Sequence, residues 1–282
     1  MEKDKPSRTS EAAAVHRAVH QLLDDEPKIL SDPVATRIVE MPAGIDSLVE
    51  ANRPMFKQMR SRLVMRSRYA EDCLADAVGQ RVIQQYLILG AGLDTSAFRQ
   101  PSWARSIQIF EVDHPATQRY KIERLESAGL LPPTNLHFAP VDFESTSLSD
   151  GLRECGFDFG SETFCSWLGV TYYLTEEGID RTLEVVRRLP SGSEIVFEYA
   201  IALELLPPEE KEQIAAGEAQ RGRWGEPTVT RFVPTELQAR LHRIGFSQVQ
   251  DFTHEDGQER YFKDRRDGLA ADPATHLMRA IV

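Results

Sequence analysis

The stretch LILGAGLDTSAFR, Leu87 to Arg99, decides the fold. An apolar run ends in Gly-Ala-Gly, and Asp94 follows two residues later. Glycine accepts positive φ and carries no side chain, so a glycine turn directly after a strand lets backbone N–H groups approach a ligand. In open α/β sheets ligands bind outside the carboxyl ends of the strands, which is where Gly90 and Gly92 would stand.

Other short apolar runs surround this one. They are YLILG (86–90), IQIFEV (107–112), LHFAPV (136–141), TFCSWLG (163–169) and EIVFEY (194–199), followed by the weaker FSQVQDF (246–252) and RYFK (260–263). The earlier runs are nearly continuous in apolar residues, as parallel strands covered on both faces are. Helical patterns lie between them. TEEGIDRTLEVVRRL (175–189) puts Ile179, Leu183 and Val186 on one face, with Thr175 as N-cap, acids in the first turn and Arg187 and Arg188 near the end. PTELQARLHRIGF (234–246) repeats the pattern, with Gly245 as its stop. Alternating strands and helices predict an α/β fold: a doubly wound, mostly parallel, seven-stranded Rossmann-like sheet.

The first 80 residues read as a helical N-terminal cap. SEAAAVHRAVHQLLDD sets Val15, Ala18, Val19, Leu22 and Leu23 on one helical face, and RPMFKQMRSRLVMRSRYAEDCLADAVG adds one or two further helices. Residues 81–282 form the ligand-binding domain, within which 205–233 is a charged, Pro/Gly-bounded insertion holding Trp224 and expected to act as a lid.

Composition narrows the partners. The 44 acidic residues outnumber the 33 basic ones, for a net charge of −11, so neither nucleic acid nor a membrane surface is an expected partner. Cys73, Cys155 and Cys165 are few and widely spaced, which fits a reduced, cytoplasmic setting. The segment MEKDKPSRTSEAAAV lacks an apolar core of signal-peptide length. No metal is expected.

The loop itself discriminates between ligands. A dinucleotide fingerprint needs a third glycine, where this chain has Thr95. Asp94 beside a pyrophosphate would also repel it, by about 1 to 4 kcal/mol at ~4 Å. A cationic adenosyl amino acid, S-adenosylmethionine, meets no such penalty. Asp113 ends the next strand, 21 residues beyond Gly92, and a carboxylate there can accept from both ribose hydroxyls. Glu111, two residues earlier, competes for that role. Asp142 can accept the adenine amino proton, with Phe143 lining the ring.

Taken together, these residues resemble the S-adenosylmethionine-dependent methyltransferases of the leucine carboxyl methyltransferase superfamily, which includes the tetracenomycin-type polyketide methyltransferases. The likeness runs through LGAGLDTSAFR, FEVDHPATQRYK, VDFE, SWLGVTYYLT, the N-terminal helix with its Asp-Pro turn, and WGEPTVTRFVPTELQARLHRIGF. The resemblance implies a class I methyltransferase fold. It implies that Gly90, Ala91 and Gly92 cradle the methionine part, Asp113 holds the ribose, and Asp142 and Phe143 hold the adenine. Arg68 matches the family's N-terminal arginine, which pairs with the cofactor carboxylate, while Arg66 is its equal by chemistry. One departure stands out: many relatives carry Glu-Gly where this chain has Leu168-Gly169.

Methyl transfer to a carboxylate needs no general base, whereas an alcohol or phenol gains from one. The candidates are Tyr172 and Tyr199, with Tyr173, His114 and His254 behind them. The expected function is O-methylation of a hydroxyl or carboxylate on a small natural-product or lipid-like acceptor. The alternatives are a protein or peptide carboxyl methyltransferase and a cofactor-binding domain without turnover.

Overall fold

The residue types of the central strands explain their position. β1 (Gln85–Leu89), β4 (Thr163–Trp167) and β5 (Glu194–Ala200) are buried along their whole length. Their side chains alternate between two apolar layers, as the period of a strand requires. Leu87, Leu89, Cys165, Trp167 and Phe197 face one layer, and Tyr86, Ile88, Phe164 and Val196 face the other. The computed structural model describes residues 6–41, 49–141, 147–223 and 225–282.

With β2 (Gln108–Asp113), β3 (Leu136–Pro140), β6 (Gln248–Phe252) and β7 (Thr275–Ile281), the strands form one seven-stranded sheet of order β3-β2-β1-β4-β5-β7-β6. β1 to β5 pair in parallel, and β7 runs antiparallel to both β5 and β6. The order reverses between β1 and β4, which makes the carboxyl ends of these two strands the switch point where a ligand crevice opens.

Helices cover both faces. α1 (Arg8–Leu23) and α2 (Pro54–Gln80) come from the N-terminal region, and α2 is a single helix of 27 residues. Its Val64, Met65, Tyr69, Cys73 and Ala77 pack on one sheet face. α3 (Pro115–Ser127) follows β2 and α4 (Leu148–Glu154) follows β3. α5 (Glu176–Arg187) begins at Thr175, whose side chain accepts from the Gly178 N–H, as the sequence predicts. The 205–233 insertion is largely helical, as α6 (Pro208–Arg223). α7 (Pro234–Ile244) ends at Gly245, whose φ of 112° is the left-handed cap.

One strand expectation is corrected. RYFK belongs to a helical segment: Thr253 and Asp256 form a capping box, and the chain continues as a π-turn over Gln258–Phe262. Its aromatics find other partners. Phe262 enters the α2-side core, and Tyr261 donates to Asp72 at 2.7 Å. The seventh strand is THLMRAI, whose His276 and Arg279 break the apolar pattern because they pair with Asp251 and Glu194 on neighbouring strands.

Candidate active site

The loop after β1 is shaped by contacts that leave no room for side chains. Gly90 (φ 66°) and Gly92 (φ 50°) both take the left-handed conformation. A Cβ on Gly90 would lie 2.3 Å from Val170 Cγ2, and one on Gly92 would lie 2.9 Å from Ser10 Cβ on α1. The Gly90 and Ala91 N–H groups both donate to Val112 O, at 2.8 and 3.0 Å. Asp113 is held between two backbone donors, Gly92 N–H at 2.5 Å and His114 N–H at 2.7 Å. Burial pushes its carboxyl up, against these two hydrogen bonds, which favour the ionised form.

Glu111, the rival acid, lies deeper. It is buried against the ammonium of Lys121, and its Oε1 has no hydrogen-bond partner among the described residues. Asp94 turns onto its own loop, where Oδ1 accepts from the Ser96 N–H at 2.7 Å. Burial works to raise Asp94, but Lys121, Arg17 and Ser96 outweigh it and hold the carboxyl below its ordinary range. The aspartate of the Asp-Pro turn, Asp32, anchors the loop from behind. It is fully buried and accepts from Arg17 Nε at 3.0 Å and Thr95 Oγ1 at 2.7 Å, while Arg17 Nη2 donates to Leu93 O at 2.6 Å.

Of the two arginine candidates, the structure brings Arg66 to the carboxyl ends of β4 and β5. Its Nη1 donates to Glu198 Oε2 at 2.6 Å, and its guanidinium lies against Gly169, where a Cβ would come within 2.7 Å of Nη2. Arg68 is about 200° further round the helix, 46% exposed and bonded to Asp72. Leu168 brings no acid to this guanidinium; the carboxylate paired with it is that of Glu198, from β5.

The tyrosines separate as well. Tyr172 lies in the turn Thr171–Tyr173 after β4, with its hydroxyl 3.4 Å from Glu198 Oε2 and 3.4 Å from Arg66 Nη1. Burial, then the charge of Glu198, pushes its phenol up, so it stays protonated. Tyr199 faces the opposite side of β5 and donates to Asp251 at 2.7 Å. His114 caps α3, its Nδ1 accepting from the Ala116 N–H. His254 stands beside Glu255.

Beyond Tyr172 lies a cavity of about 100 Å³, lined by Met55, Met59 and Arg62 of α2, Tyr172 and Tyr173, and Ile214 of α6. Sequence reading missed Arg62 and Glu198. The visible signal was an acid inside the apolar strand EIVFEYA and two arginines four residues apart, one turn along α2.

His16 and His20 of α1 share the spacing of a helical metal pair. Both ring nitrogens of His20 are taken, by Asp24 and the Leu30 N–H, and His16 stacks on Phe56. No metal-binding group of three or more such residues occurs among the described residues. Asp142, Phe143 and Trp224 lie outside the described residues.

The model of the leucine carboxyl methyltransferase family matches residues 10–187. The chain is 32% identical to YktD of Bacillus subtilis (strain 168), named as an S-adenosyl-L-methionine-dependent methyltransferase, over 100% of this chain and 99% of that protein. A similarly named Mycolicibacterium smegmatis protein is 31% identical over 68% of this chain and 65% of its own length. In fold, the chain is similar to a methyltransferase structure from Thermobifida fusca, at TM-score 0.60 and 16% identity, covering 99% of this chain and 96% of that one.

Proposed function

Because the chain belongs to the leucine carboxyl methyltransferase family of S-adenosylmethionine-dependent methyltransferases, we propose that it methylates an oxygen of a small, largely apolar acceptor. The acceptor sits in the cavity between α2, the Thr171–Tyr173 turn and α6. One observation carries this reading. Tyr172 lines the cavity and touches the Arg66–Glu198 pair, which abuts Gly169, and the next residue, Val170, packs on Gly90 of the loop.

The residues present fit the cofactor. The loop glycines, crowded by Val170 and Ser10, put no side chain in a ligand's way; their N–H groups and that of Ala91 are taken by Val112 O and Asp113, and Gly90, Ala91 and Gly92 would line the methionine part. Asp113, pinned by two N–H groups, would hold the ribose. Arg66 would take the carboxylate, in place of Arg68. Asp142 and Phe143 retain the adenine role on their sequence positions. When bound, the sulfonium supplies a methyl group already activated for displacement. The protein's own task is to orient the acceptor, exclude water and receive any proton. The reading includes a reduced, cytoplasmic setting, supported by three free cysteines, and a small-molecule partner, supported by the net charge of −11.

Calorimetric titration with S-adenosylmethionine, S-adenosylhomocysteine and NAD tests the cofactor, and label transfer onto small alcohols, phenols, acids and carboxyl-terminal peptides tests the acceptor. Binding of the first two ligands and labelling of a small acceptor is the expected result. Labelling of peptides alone would move the function to protein carboxyl methylation. Binding without transfer would make the chain a cofactor-binding domain, and binding of NAD alone would overturn the reading.

A further inference from the structure

Around the glycine loop, carboxylates outnumber the cations that face them. Two pairs match one to one: Arg17 with Asp32 at 3.0 Å, and Arg99 with Glu71 at 2.6 Å. Lys121 of α3 is left to serve three acids. It is 1% exposed, its ammonium bonds to Glu111 Oε2, and its charge also acts on Asp94 and Asp113. Arg17, already paired, lends part of its charge to Asp94, and the imidazole of His114 faces Asp113.

Glu111 takes the strain of this excess. It leaves β2 on the same face as Asp113, two residues on, while Phe110 and Val112 turn to the other layer. Its neighbours across the sheet, Ile88 of β1 and Phe138 of β3, bring no charge. It is 1% exposed. Lys121 holds one of its oxygens; the other, Oε1, is buried and has no hydrogen-bond partner among the described residues. A carboxylate so placed is costly to keep ionised, and such a group yields by taking a proton. Burial, opposed by Lys121 and reinforced by Asp94 and Asp113, accordingly raises its carboxyl to about 7. Near neutral pH the charge of Glu111 therefore responds to whatever charge the loop holds.

The two forms of the cofactor differ in that charge. S-adenosylmethionine carries a sulfonium, S-adenosylhomocysteine a neutral thioether, and their amino-acid ends are alike. A cation added beside surplus acids favours ionised Glu111. A thioether does not. We propose that Glu111 is a charge-balancing residue of the cofactor site: it gives its proton to solvent when the sulfonium binds and takes one back when the thioether remains, so that the site prefers the methyl donor to its product. The inference rests on the cofactor assignment above and adds how the site tells donor from product. Glu111 acts by its charge and is not a catalytic residue.

The test titrates the whole protein calorimetrically with S-adenosylmethionine and with S-adenosylhomocysteine, between about pH 5.5 and 8. Two buffers of different ionisation enthalpy count the protons released. Near neutral pH the sulfonium should release a fraction of a proton and the thioether none. The ratio of donor to product affinity should rise at least about threefold across the range. In Glu111→Gln the ratio should stay flat and the proton release should vanish. A flat ratio in the wild type, or a rise and release that persist in Glu111→Gln, would overturn the proposal. If that variant does not fold, His114→Asn removes the imidazole facing Asp113 and keeps a side chain suited to cap α3. The wild-type rise should survive this change, and its loss would overturn the proposal. Failure of the wild type to bind either ligand would sink the cofactor assignment as well.

Discussion

The carboxylate of Asp113 accepts the Gly92 N–H at 2.5 Å, so the end of β2 holds the loop after β1 in place. The same side chain, proposed to bind ribose, is therefore also a structural clasp. Asp113→Ala should weaken S-adenosylmethionine binding by about 1 to 3 kcal/mol, through lost charge-assisted hydrogen bonds. Asp113→Asn keeps an oxygen for one N–H and should lose less. Titration of both variants checks the order, and wild-type affinity in Asp113→Ala would remove the ribose role.

The two loop glycines should differ in their tolerance of a methyl group. Each takes positive φ, which costs a non-glycine residue about 1 to 2 kcal/mol. Gly90→Ala also drives Cβ to 2.3 Å from Val170 Cγ2, whereas Gly92→Ala meets Ser10 Cβ at 2.9 Å. Chemical denaturation should rank Gly90→Ala as the less stable. The reverse order would mean that the Val170 side chain yields more easily than α1.

Arg66 and Arg68 offer a direct contrast. Arg66→Ala strips a buried carboxylate of its main cation, a change that typically costs ~3 to 5 kcal/mol. Arg68→Ala breaks an exposed pair with Asp72 and should cost at most ~1 kcal/mol. S-adenosylmethionine affinity should fall only in the first. A loss confined to Arg68→Ala would return the carboxylate role to that residue.

Glu111 carries a pH signature. Burial, opposed by Lys121 and aided by Asp94, raises its carboxyl to about 7. A raised acid favours the folded state while protonated in it, so this contribution is full below the ordinary glutamate range and fades as pH climbs through about 7. Glu111→Gln should therefore change stability relative to wild type progressively between about pH 4.5 and 7, by at most about 3 kcal/mol. Denaturation midpoints across that range check it, and parallel curves for the two proteins would contradict it.

Much of this protein is written locally. Thr175 before its helix and Gly245 after α7 are signals that neighbouring residues carry by themselves, and the continuous apolar runs of β1, β4 and β5 mark strands buried on both faces. The glycine loop and the position of Asp113 after β2 follow from the same short-range chemistry. Other features depend on partners distant in the chain. THLMRAI pairs between β5 and β6, where His276 and Arg279 find Asp251 and Glu194, and RYFK is helical despite its aromatics. Arg66 and Arg68 are chemically alike, and only the packing of α2 on the sheet turns the first toward Glu198 and the second toward solvent. The gap between Arg62 Nε and Glu198 Oε1 brings together residues 136 positions apart. Periodicity shows which residues lie inside, but tertiary packing decides which buried charges meet.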